Sequence, residues 1–210
     1  MVTTNPGTAA APRAARGRPR EFDLDEALDA AIEAFLQYGY HATSLTHLTA
    51  ATGLHRGSLY AAFGDKHQLF VAALRRHCAR SLARMHADMS AGSSALDGIR
   101  QHLLRHARLA ADQNRGRGCL TANTTLELLP GDTEVAAVIA GHQNAVVAYV
   151  AGVIDRARAS GEIGGGLPST QLARYVFTVV EGMWQLGRTT RDEDALSDIA
   201  EATLAALRRP

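Results

Sequence analysis

The chain has 210 residues, is 46% hydrophobic and 5% aromatic, and carries a formal net charge of +1 at pH 7. That much apolar content can bury a sizeable core, and scarce aromatics beside abundant Ala, Leu and Arg favour helix over sheet. Residues 1–15 lack the apolar stretch of a secretory signal, no run approaches the roughly 18 apolar residues of a membrane span, and two cysteines are too few for a disulfide framework. Secreted and membrane classes are thereby set aside, with no membrane partner expected. A soluble, cytoplasmic chain with reduced thiols is the reading.

Residues 1–20, rich in Ala, Pro, Gly and Thr, read as a disordered arm. The arm ends in Arg13, Arg16, Arg18 and Arg20 with no acid among them. Residues 21–33 then hold six acids, Glu21, Asp23, Asp25, Glu26, Asp29 and Glu33, and 41–80 hold Arg56, Lys66, Arg75, Arg76 and Arg80 against Asp65 alone. Two basic patches thus flank one acidic helix, a distribution that suggests a polyanion partner for the N-terminal part only.

Helical periodicity starts with Leu24, Leu28, Ile32, Phe35 and Leu36, capped by Asp23 and stopped at Gly39. Thr43 or Ser44 caps a short helix with Leu45 and Leu48 that ends at Gly53. A second short helix runs from about 55 to 62 with Leu59 inward, and Gly64 breaks it. Asp65 caps a long helix carrying Leu69, Phe70, Ala73, Leu74, Leu82 and Met85. Ala91-Gly92-Ser93-Ser94 is a linker to a helix over about 95–112, and a polar loop at 114–118 leads to a short helix near 120–129. After Pro130-Gly131 comes the longest pattern, about 28 residues with a broad apolar stripe from Val135 to Ala157, interrupted by Gly164-Gly165-Gly166. Helices at about 169–188 and 193–208 complete an all-α chain of about nine helices. The division expected is an arm at 1–20, a DNA-binding unit at 21–67, and a ligand-binding and dimerising unit at 68–210.

Short helices joined by the tight turn Ala51-Thr52-Gly53-Leu54 match helix-turn-helix spacing. The recognition helix would be the segment His55-Arg56-Gly57-Ser58-Leu59-Tyr60-Ala61. Arg56 is long enough for a bidentate contact to guanine, Ser58 and Tyr60 suit phosphates or base edges, and Gly57 allows close approach. Thr43 and Ser44 would turn amides and hydroxyls towards phosphate. The segments Gly39 to Leu48 and Gly53 to Phe70 closely resemble the N-terminal domain of the TetR family of bacterial regulators. The resemblance implies that Tyr60 and Lys66, the only lysine in the chain, touch phosphates while 55–58 read bases. His55 departs from the Ser or Thr that often caps this helix in the family. The arm's Arg16-Gly17-Arg18-Pro19-Arg20 resembles an AT-hook core, in which Arg18 would enter a narrow minor groove.

Beyond residue 75 the resemblance is to architecture alone. It implies helices around a ligand cavity and the last two long helices packing on a second copy, so the partners are double-stranded operator DNA, a small-molecule effector and a homodimer mate. The 169–188 helix is apolar on more than one face, with Val176, Phe177, Val179, Val180, Met183 and Trp184. Glu181 interrupts that run and needs a partner, and Tyr149, Phe177 and Trp184 suit pocket walls. Cys119 follows Arg115-Gly116-Arg117-Gly118 at a helix start, where cations and the helix end would lower its pKa. It is either a thiol sensor or a small buried hydrophobe. His102 and His106 share a face at i, i+4 and with His142 or Cys119 have ligand chemistry, but no third ligand has diagnostic spacing, so surface histidines and no metal or cofactor are expected. No HExxH, P-loop or nucleophile elbow occurs, so no enzyme is expected.

Overall fold

The computed structural model describes residues 23–112 and 117–208; the arm with Arg18, and Arg115 beside Cys119, lie outside the described residues. Among the described residues there are helices only: α1 (Leu24–Ala42), α2 (Leu45–Thr52), α3 (Arg56–Phe63), α4 (Lys66–Ala91), α5 (Ala95–Ala111), α6 (Leu120–Leu128), α7 (Thr133–Ala159), α8 (Ser169–Thr190) and α9 (Glu193–Arg208). Their starts are written in capping side chains. Asp23, Ser44, Asp65, Ser94 and Asp132 each accept a backbone N–H from the first turn of the following helix. Gly39, at φ 76°, interrupts the helical backbone inside α1, and Gly53, at φ 68°, closes α2 in the left-handed conformation the tight turn requires.

Two cores are built on α4. Its first half joins α1, α2 and α3 through Phe35, Leu48, Leu59, Leu69, Phe70 and Leu74, and the same cluster takes in Leu120 of α6 and Val135 and Ile139 of α7. Its second half places Met85 and Met89 among Leu103 of α5, Ile154 of α7, Val176 of α8 and Leu204 of α9. Each such side chain contributes roughly 1.5–3 kcal/mol when fully buried. α4 therefore belongs to both cores, and nothing in its sequence marks the handover. Among the described residues α7 alone is long and apolar enough to cross a membrane, contrary to the sequence reading. It packs as a core helix, with Val135, Val138, Val150, Val153 and Ile154 buried and Gln143, Asn144, Asp155 and Arg156 exposed.

The acidic face of α1 is not simply solvated. Arg76 grips Asp29 through Nε (2.7 Å) and Nη2 (2.9 Å) and reaches Asp25 through Nη1 (2.8 Å), while Arg80 also bonds Asp29. The Arg76 hydrogen bonds lead in holding the Asp29 carboxyl down at about 2. Much of the second basic patch is thus neutralised within the fold, leaving Arg56 and Lys66 as the candidate cations for a polyanion. Leu24, read as inward, is half exposed because it precedes the first full turn.

Candidate nucleic-acid interface and ligand cavity

α3 presents one polar side. His55, Arg56, Gly57 and Tyr60 are exposed while Leu59 is buried beneath them, so the helix is anchored by its leucine and shows the rest outward. His55 caps the helix by position but makes no side-chain capping bond. The Arg56 guanidinium lies 5.3 Å from the Tyr60 ring centroid, within cation–π range, which aligns both side chains along one face. A Cβ at Gly57 would meet nothing within 4 Å, and Ser58 is half-buried. Ser44 is exposed and forms a reciprocal cap with His47, its Oγ accepting from His47 N at 3.1 Å. Thr43 departs from expectation: its side chain is buried, and its hydroxyl donates to Gly39 O instead of facing outward. Lys66 donates to His41 O at 3.2 Å and sits 4.6 Å from the Tyr40 centroid, and burial pulls its pKa down.

Sequence reasoning missed Glu127. It is the one charge in α6, and its carboxylate accepts the amides of Tyr40 (2.8 Å) and His41 (2.6 Å) where Gly39 turns the chain. Those amides are left without helical partners by the break at Gly39, and a charged acceptor satisfies both. The lone acid in an otherwise uncharged segment was the available signal.

The other end of α6 faces a cavity of about 50 Å³ between α4, α5, α7 and α8. Five sequence candidates meet there: Cys119, His142, Phe177, Glu181 and Trp184. Tyr149 does not, because its ring stacks on His86 at 3.8 Å. His102 and His106 are in the wall, not on the surface. His102 Nδ1 lies 3.1 Å from Asp88, and Trp184 Nε1 donates to His106 Nδ1 at 2.9 Å. Among the described residues no group of three or more His, Cys, Asp or Glu is placed to hold a metal. A neighbouring cleft of about 820 Å³, lined from α1, α4 and α5, shares Ser81, His106, Cys119 and Trp184 with the cavity. Three arginines of the cleft are already paired, Arg80 with Asp29, Arg105 with Asp88 and Arg117 with Glu33.

The activated-thiolate reading of Cys119 fails here. Burial pushes its pKa up and the charge of Glu181 adds to that, outweighing a bond to Thr121 Oγ1 at 2.9 Å. Arg117, which was to lower it, turns away to Glu33. Cys78 is likewise pushed up to about 12 by burial, and both thiols are free.

Burial also holds His77 at about 4 and lowers His102, His106 and His142. Unfolded, each takes its proton near pH 6.5; folded, each resists it. Stability is therefore full above about 6.5 and falls as pH drops towards the folded values. At about pH 5 His77 alone should cost on the order of 2 kcal/mol, or roughly 4–8 °C in melting temperature. His77→Gln should flatten that slope in thermal melts from about pH 7 to 5; a slope identical to wild type would refute it.

The comparisons agree with this geometry. Residues 27–73 match the family model of bacterial regulatory proteins of the tetR family, and residues 95–203 match that of the tetracyclin repressor-like C-terminal domain. The chain belongs to the TetR family. It is 31% identical over 193 residues to the uncharacterized HTH-type transcriptional regulator YezE of Bacillus subtilis (strain 168), covering 91% of this chain and 99% of that one. It is 30% identical over 190 residues to the HTH-type transcriptional repressor ComR of Escherichia coli (strain K12), covering 90% of each. A cysteine mutant of the TetR family transcriptional regulator CifR, solved with 26-bp double-strand operator DNA, superposes with a TM-score of 0.76 at 29% identity over 90% of this chain and 99% of that one. As a member of this family the chain is a DNA-binding regulator of transcription and not an enzyme.

Proposed function

We propose that the chain is a homodimeric repressor, working in the cytoplasm, which binds a palindromic operator through α3 and leaves it when a small molecule occupies the cavity. One observation carries the coupling: α6 has Cys119 and Thr121 at the cavity and Glu127 on the amides of Tyr40 and His41. Occupancy that shifts α6 moves an acceptor on which the α1–α2 junction depends. The His41 carbonyl in turn holds Lys66, so the shift reaches the first residue of α4 as well. A ligand that prefers the shifted arrangement draws the dimer off DNA by its differential affinity. The cavity and dimer parts of this reading draw on the family's architecture. The repressor polarity draws on the relative ComR, named as a repressor.

Selection of bound sequences from random DNA, followed by titration of two variants, tests the DNA contacts. Arg56→Ala should relax base preference at one position of each half-site by about 1–3 kcal/mol. Lys66→Ala should weaken binding to all sequences alike and flatten the dependence on salt. Operator binding unchanged in both variants would sink the assignment of this face.

A further inference from the structure

The charge of the cavity is lopsided. Of the titratable groups that line it, His102 and His106 of α5, His142 of α7 and Cys119 at the start of α6 are all held neutral at neutral pH by burial, while α4 contributes only Ser81 and Met85. Glu181 of α8 is pushed up to about 6, so it is largely ionised at neutral pH. Its carboxylate has no hydrogen bond or ion pair among the described residues, whereas Asp88 and Arg105 nearby satisfy each other. A half-buried carboxylate without a partner is costly to keep, and the chain has left it facing a space walled by Phe177 and Trp184. Those aromatic faces attract cations as well.

We infer that the cavity takes an apolar molecule bearing one amine or similar cationic head, which pairs with Glu181 between Phe177 and Trp184. This rests on the reading of the cavity as an effector site. A cavity of about 50 Å³ holds the head and little more. The body of the ligand extends past Trp184 into the cleft, where Ile32, Leu36 and Leu109 offer apolar contact. The cationic end belongs in the cavity because Glu181 is the carboxylate that lines it, whereas Asp29 and Glu33 of the cleft are already paired with Arg80 and Arg117.

Calorimetric titration of the full chain with 2-phenylethylamine, 2-phenylethanol and phenylacetate separates the head groups on one aromatic body. The amine should bind at least about tenfold more tightly than the alcohol, and the acid least of all. Glu181→Gln should bring amine and alcohol together without lowering the melting temperature, since it removes a buried charge. Phe177→Leu should weaken the amine more than the alcohol. No saturable amine binding, an amine preference that survives in Glu181→Gln, or tighter binding of the alcohol or acid would overturn the inference. Operator release is read separately: an amine that binds through Glu181 yet leaves the DNA complex intact refutes the effector reading while the ligand class stands.

Discussion

Replacing Gly187 by valine should lower the thermal midpoint by roughly 2–12 °C, an overpacking cost of about 1–3 kcal/mol in a chain of this size. A Cβ at Gly187 would stand 2.4 Å from the carbonyl oxygen of Ala110 and 2.9 Å from its Cβ, closer than packed atoms approach. The obstacle is helical backbone, so no side-chain rotation relieves it, and α8 must back away from α5. That separation opens the small cluster of Ala107, Ala110, Ala111, Met183 and Leu196 and loosens the wall that holds Trp184 against His106. Gly141 of α7 is the control, since a Cβ there meets nothing within 4 Å. Gly141→Ala should stabilise by up to about 1 kcal/mol through helix propensity alone. Equal midpoints for the Gly187 variant and wild type would mean that the two helices are not in contact as described.

Most of the fold could be read from the sequence because it is encoded locally. Caps, glycine stops and the spacing of apolar residues fix where each helix begins and ends, and α5 to α9 fall within a residue or two of their expected bounds. What faces what is a long-range property. Arg76 and Arg80 look like a basic patch until α4 is laid against Asp25 and Asp29 of α1, about fifty positions earlier. Glu127 lies 87 residues from the amide of Tyr40 that it accepts, and no local pattern relates them. His102 and His106 are polar letters on an amphipathic helix, so they read as surface; a carboxylate and an indole supplied by α4 and α8 let them be buried. The cavity was legible in kind, because the residues that interrupt apolar runs, Glu181 and His142, do line it. The state of Cys119 was not, since a helix start and nearby arginines speak for a thiolate only when the site is open to solvent.

α8 shows the same limit and decides where the dimer should be probed. Apolar on more than one face, it does not reveal in sequence which side its own chain covers, which leaves Val180 open as an interface position. In the fold Val180 is 8% exposed and lies in the core beside the cavity, so a charge there would damage the pocket and report nothing about association. The uncovered side is marked instead by Tyr175 at 44% and Leu186 at 38% exposure, with exposed Gly182 between them at helical spacing. An added Cβ at Gly182 meets nothing within 4 Å, so a second α8 can approach closely there. Leu186→Glu puts a charge on that seam, where association would have to desolvate it against the second copy. The variant should sediment as a monomer at micromolar concentration with its melting transition intact. Its affinity for a palindromic operator should fall by about 10²- to 10⁴-fold, because each half-site is then bound without the effective concentration the partner provides. Affinity for an isolated half-site should stay within about twofold of wild type, since α3 is untouched. Wild-type protein that sediments as a monomer, or a Leu186→Glu chain that remains dimeric and fully competent on the palindrome, would move the interface off α8.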